Sequence, residues 1–308
     1  MSIDSSTVQT GYEGTAMTKV AGSPPKGSGQ ALHTSSGARK VVVYGLLLFF
    51  ALLYLYPFVV QLVTAFKTNP DAVAHPLTLV PRPFTGKALD TLFANDFALW
   101  FTNSVVVAVC VTVGRVFFDS LAGYALARLR FPGRSAVFNA VIAVMAVPGV
   151  VLLIPKFLVL NYLSMYNTYP ALIVPLIADA AGVFIMKQFF ESIPASVEEA
   201  ARIDGASTFR IFWSVVLPMS KPALITLTIL SFQASWNELG HMIIATNNPD
   251  LYTLTRGVAG LTSGSLGAGN QFPIKMAAAL LMTIPVAMVF VVFQRFFTQG
   301  ANAGAEKG

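Results

Sequence analysis

Apolar residues in this chain fall in long uninterrupted runs, not at amphipathic helical or alternating spacing. The first extends from Val41 to Phe66, 26 residues without a charge. That exceeds the roughly 7–15 apolar residues of a signal-peptide core. It suffices for the roughly 20 residues that cross a hydrocarbon layer of about 30 Å, so it reads as an uncleaved spanning helix. Five more runs follow: Asn103 to Ala127, the stretch between Arg134 and Lys156, Pro170 to Phe190, Val215 to Trp236, and the stretch between Lys275 and Arg295. The pattern predicts an all-α membrane protein with six transmembrane helices. Pro148, Pro155 and Pro285 can kink the third and sixth. Residues 1–40 are rich in Ser, Thr, Gly and Pro without an apolar period and read as a disordered tail. Residues 41–300 then form the membrane domain and 301–308 a short C-terminal tail.

The connections set the orientation. Thirteen Lys and Arg residues fall in the N-terminal tail, the second-to-third and fourth-to-fifth connections and the C-terminus, against six on the other side. The excess predicts that both termini are cytoplasmic. The external connections at 67–102 and 237–275 differ in character. The first is Pro-rich and carries Phe93, Phe97, Trp100 and Phe101, which suit a short interfacial element. The second contains a glycine-rich run from Gly257 to Gly269 and reads as a flexible loop.

Composition narrows the class. Only 11% of residues are charged and 55% are hydrophobic, with mean hydropathy +0.67. A soluble domain carries roughly 25% charge, so a soluble enzyme and a disordered protein are excluded. The net charge of +6 then reads as membrane orientation and not as nucleic-acid binding. Cys110 stands alone and can form no intrachain disulfide, and His33, His75 and His241 have no ligand spacing, so no metal site is expected.

Few polar groups enter the runs. Arg115 and Asp119 are four apart, on one helical face, and either neutralise each other as a structural ion pair or line a passage. Asp179 has no helical partner; such an acid marks a functional site unless a neighbouring helix satisfies it. Gln233 and Asn237, also four apart, lie with Trp236 at the external end of the fifth run. Amides beside an aromatic ring suit sugar hydroxyls and ring faces, and interhelical hydrogen bonding is the alternative.

The connection from Ser192 to Pro218 carries the most local information. Ser196 and Glu199 have capping-box spacing, Gly205 can end a helix in the left-handed region, and Ser207 or Thr208 can cap the next helix. Two short helices with a tight turn are expected. The run Glu199-Ala200-Ala201, Asp204-Gly205-Ala206 and Leu217-Pro218 resembles the EAA motif of ABC importer permeases. Ala65 to Thr68, Asn103-Ser104, Pro218 to Pro222, Ser235 to Glu238 and Gly304 to Gly308 are similar to the carbohydrate-uptake branch, specifically its smaller maltose-type permease. The long N-terminal tail has no counterpart in the family pattern.

The resemblance implies that the hairpin is a coupling helix docking on a cytoplasmic ATPase. It also implies a second, different permease subunit, two ATPase copies, an extracellular sugar-binding protein and a prokaryotic cell membrane. ATP and magnesium would sit on the ATPase, with no cofactor in this chain. Gly86-Lys87-Ala88 lacks the residues of a phosphate-binding loop, so this chain is not expected to be an enzyme. Another solute (a polyol, amino acid or peptide) and an ion-coupled secondary carrier are the competing readings.

Overall fold

The computed structural model describes residues 37–262 and 271–305. The expected tail over 1–36, most of the glycine-rich run and the last three residues therefore lie outside the described residues. All regular structure among the described residues is helical.

By internal contacts the chain divides into Met1–Leu52 and Leu53–Gly308. In the first unit residues 39–52 are helical and every side chain is exposed, as an apolar helix bathed in lipid would be. The second unit holds the packed clusters.

Helix α1 (Gly37–Ala65) is followed by two short helices, α2 (Asn69–Ala74) and α3 (Lys87–Ala94), in the first external connection. Thr68 caps α2 by accepting the Asp71 N–H. Next comes α4 (Phe97–Arg128), which starts six residues before the expected span. Phe97 and Trp100 accordingly lie buried in the protein, not in an interfacial loop.

The third run is bent far more sharply than a proline kink in one span. α5 (Arg134–Met145) ends after 12 residues, about 18 Å at 1.5 Å per residue and too short to cross a bilayer. Pro148 interrupts it, a 3₁₀ turn covers Gly149–Leu152, and α6 (Leu153–Tyr162) continues. The two halves meet at 102°. The fourth run is also broken: α7 (Tyr169–Ile173) and a 3₁₀ turn at Val174–Leu176 precede α8 (Ala180–Ser192).

The connection of interest holds α9 (Ala195–Ile203) and α10 (Thr208–Ile211), then a π-helical turn at Phe212–Val216 and α11 (Leu217–Met219). α12 (Lys221–Trp236) leaves at 81° to the segment 208–219. The fifth run is thus straight only over its last 16 residues, and Val215 belongs to the π turn. Prolines 218 and 222 permit the bend, since neither supplies an N–H and Pro222 leaves the carbonyl four residues back without its helical donor. The Ser220 hydroxyl bonds Val216 O at 2.7 Å.

α13 (Gly240–Ala245), α14 (Leu254–Thr262) and α15 (Phe272–Ala305) complete the chain. Gly257 sits inside α14 and not in a flexible loop. A side chain there would meet the Trp100 ring at 2.2 Å, so glycine permits a close approach of α14 to α4.

Among the described residues four segments are long and apolar enough to cross a membrane: Arg39–Ala65, Phe97–Arg128, Tyr169–Ser192 and Phe272–Gln294; the count reaches six when each bent pair is one crossing. α4 is the central element, packing most extensively on α8 and then on α12. Near the hairpin, Tyr124, Phe190, Ile211, Phe212, Val216 and Leu227 form one buried cluster. At the opposite end of α4, Leu92, Phe97, Trp100, Trp236, Leu254 and Ala278 form another.

Candidate functional site

The α9–α10 hairpin is built by its backbone. Pro194, at φ −58°, precedes α9 and no side chain caps the helix start. The expected Ser196–Glu199 capping box is therefore absent, because the proline moves the helix start two residues toward the N-terminus. At the other end Gly205 takes φ +80°. Its N–H donates to Arg202 O at 3.0 Å, and the Ala206 N–H donates to Ala201 O at 3.0 Å. These two bonds are the Schellman pair that closes a helix on a left-handed residue. Ser207 caps α10 by accepting the Arg210 N–H at 3.4 Å.

One charge cluster anchors the hairpin. Glu198 is 4% exposed. Its carboxylate lies 3.0 Å from Arg128 Nε and 3.7 Å from Arg202 Nη2, and it accepts the Tyr124 hydroxyl at 3.2 Å. Arg128, in the last turn of α4, also donates to Phe190 O at 2.5 Å and to Ile193 O. A single guanidinium therefore joins the end of α4, the end of α8 and the start of α9. Sequence reading singled out Glu199 and missed Glu198. The available signal was the i,i+4 spacing of Glu198 and Arg202, but nothing local marked Arg128 as the third member.

The remaining hairpin residues divide by exposure. Glu199, Ala200, Asp204 and Gly205 are exposed, while Ala201 and Ala206 pack partly against the buried cluster. Ile203, Phe209 and Trp213 present uncovered apolar surface, Ile203 at 87% exposure.

The intramembrane charges are arranged differently from the expected ion pair. Among the described residues Arg115 and Asp119 form no ion pair. Arg115 Nε donates to Leu176 O at 2.7 Å, and Asp119 Oδ1 accepts the Asp179 N–H at 2.9 Å. Each charge takes one end of the break in the fourth run, because the interrupted backbone there leaves a free carbonyl and a free N–H. Asp179 caps α8 by accepting the Gly182 N–H at 3.3 Å. A Cβ on residue 182 would lie 2.1 Å from Asp119 Oδ2.

At the far end of α12 the expected cluster separates. Gln233 and Asn237 share an exposed face, and Asn237 Nδ2 donates to Gln233 O at 2.9 Å. Trp236 points the other way. It is 2% exposed, stacks on Phe232 and donates its indole N–H to Met282 O at 3.1 Å. It is a packing residue between α12 and α15 and leaves the proposed sugar face. Nearby, His241 is buried; its Nε2 donates to Ala171 O at 2.9 Å and its backbone N–H donates to Glu238 Oε1. Burial lowers its pKa below 6.5, and Lys156 adds to that effect while the Ala171 bond and Glu238 oppose it. No group of three metal-ligating side chains occurs among the described residues.

Residues 119–302 match the family described as binding-protein-dependent transport system inner membrane component. The chain belongs to that family. The chain is similar to the arabinooligosaccharides transport system permease protein AraQ of Halalkalibacterium halodurans, 31% identical over 84% of this chain and 94% of the relative. The sn-glycerol-3-phosphate transport system permease protein UgpE of Yersinia enterocolitica is 34% identical over 81% of this chain and 91% of its own length. The polygalacturonan/rhamnogalacturonan transport system permease protein YtcP of Bacillus subtilis is 34% identical over 87% and 98%. Among solved structures, a chain of a bacterial ABC transporter importing the acidic polysaccharide alginate matches with TM-score 0.70 and 26% identity, over 84% of this chain and 96% of that one.

Proposed function

We propose that this permease moves a sugar, mono- or oligosaccharide, into the cytoplasm, driven by ATP hydrolysis on separate subunits. The carrying observation is the hairpin: an outer face of Glu199, Ala200, Asp204 and Gly205 left open, and an inner face locked to α4 and α8 through Glu198 and Arg128. A partner holding the outer face thereby grips the ends of two membrane segments. Glu199 offers it a carboxylate, the alanines permit close approach, and Ile203, Phe209 and Trp213 supply apolar contact. The partner in this reading is a pair of P-loop ATPase copies carrying ATP and magnesium. A second permease completes the passage, and an external binding protein delivers the solute. Hairpin and termini face the cytoplasm. Alternating access then requires two packings of the helices that ATP and loaded binding protein bias in opposite senses.

The sugar assignment draws on the substrates named for AraQ and YtcP, with Gln233 and Asn237 as the exposed amides on the passage side. The name of UgpE favours a second reading, a polyol phosphate.

The test is purification of the tagged chain in mild detergent followed by identification of what accompanies it. A P-loop ATPase and a second permease are expected. Uptake in cells should then collapse on ATP depletion and survive an uncoupler while ATP is maintained. Recovery of the chain alone, with uptake that follows the proton gradient, would overturn the proposal. Competition between oligosaccharides and sn-glycerol-3-phosphate separates the two substrate readings.

A further inference from the structure

A groove of about 520 Å³ opens where α4, α5 and α9 meet, with Arg128, Arg130, Arg134, Arg202, Glu198 and Glu199 around it. Four guanidinium groups against two carboxylates leave it net positive. Glu198 is already engaged with Arg128 and Arg202, and Glu199 is exposed at the rim. Arg134 Nη2 donates to Ala127 O at 3.1 Å and lies 3.5 Å from Glu191 with its side chain about one-third exposed. Arg130 is exposed and has no hydrogen bond or ion pair among the described residues. The starts of α5 and α9 also border the groove, and neither has a side-chain cap, so their first-turn N–H groups add to the positive field.

The position of the groove selects among anions. It lies where the apolar length of α4 ends and that of α5 begins, the depth at which arginines meet headgroups. The loop alternates basic and apolar side chains, Arg128-Leu129-Arg130-Phe131, and Phe131 is 38% exposed. α5 buries none of its residues, so its first turns give an apolar flank beside the cationic groove. A free phosphate would use the arginines alone; a phospholipid uses both surfaces.

We propose that this groove binds the phosphodiester headgroup of an anionic phospholipid through Arg130 and Arg134, with the acyl chains beside the first turns of α5. Guanidinium forks match phosphate oxygens in pairs. The proposal rests on the membrane placement of the chain and is independent of the transported solute.

The assembled transporter, purified in neutral detergent, is titrated with phosphatidylglycerol and separately with phosphatidylcholine, and bound lipid is counted by native mass spectrometry. Phosphatidylglycerol should be retained preferentially, and the Arg130→Gln/Arg134→Gln variant should lose about tenfold in its affinity. Phosphatidylcholine retention should not change. Arg130→Gln alone, at an exposed position without partners, should lose a smaller share at an unchanged melting temperature. Equal phosphatidylglycerol retention by wild type and the double variant would overturn the site. Displacement of the lipid by millimolar inorganic phosphate would overturn the lipid assignment in favour of a free anion. Retention by the isolated chain but not by the assembled transporter would mean that the ATPase fills the groove, and would equally overturn it.

Discussion

At Gly205 the backbone sits at φ +80° with open space where a side chain would go. A substitution there is penalised by conformation and not by collision. Asn visits this region readily and a β-branched residue does not. Gly205→Val should therefore insert normally and lose uptake, while Gly205→Asn keeps most of it; solute uptake normalised to membrane level checks both. The adjacent glutamates should part company. Glu198→Ala leaves the largely covered Arg128 without its carboxylate and should cost about 3 kcal/mol, seen as a lower melting temperature in detergent. Glu199→Ala, at an exposed position, should stay within about 0.5 kcal/mol of wild type and act on uptake alone. His241 sets an acid limit. Its pKa is lowered in the folded protein, so the unfolded chain binds the proton first. Stability should be level above about pH 6.5, then fall as pH drops from that value toward the lowered one. His241→Gln should flatten the fall in a melting series between pH 8 and 5.

Among the elements, the break ahead of α8 is held by two side chains of α4. Arg115 and Asp119 stand one helical turn apart on α4, and each satisfies one cut end of the neighbouring backbone. Asp119→Asn keeps an acceptor for the Asp179 N–H. Asp119→Leu leaves that N–H unsatisfied, which should cost about 1–3 kcal/mol. Thermal unfolding of both variants in detergent measures the difference, and equal losses would mean that the negative charge matters more than the acceptor. The sequence carried the spacing of Arg115 and Asp119 but not their partners, since Leu176 and Asp179 become neighbours only through tertiary packing. Trp236 shows the same limit. Its place four residues after Phe232 was legible, whereas the side of α12 it faces was set by Met282, 46 positions away.

For the whole molecule, hydropathy was sufficient to locate every apolar segment, because composition decides what can enter lipid. It was insufficient to say which segments are straight. Pro148, Pro218 and Pro222 were visible, yet a proline only permits a bend, and the angles of 102° and 81° follow from what the two halves pack against. The Gly205 turn was legible because a left-handed residue closing a helix has a strong local preference. The Glu198–Arg128 pair was hidden because it joins residues 70 positions apart.

The turn at Ser220 has a mechanical consequence. The segment 208–219 runs at 81° to α12, so it forms a lateral lever arm of 12 residues, about 18 Å long. A shift of about 3 Å at its tip would rotate such an arm through about 10° around its pivot. With Phe212 buried in the middle of the arm, a push on the hairpin would reach α12 as a torque and would tilt the span rather than slide it along its axis.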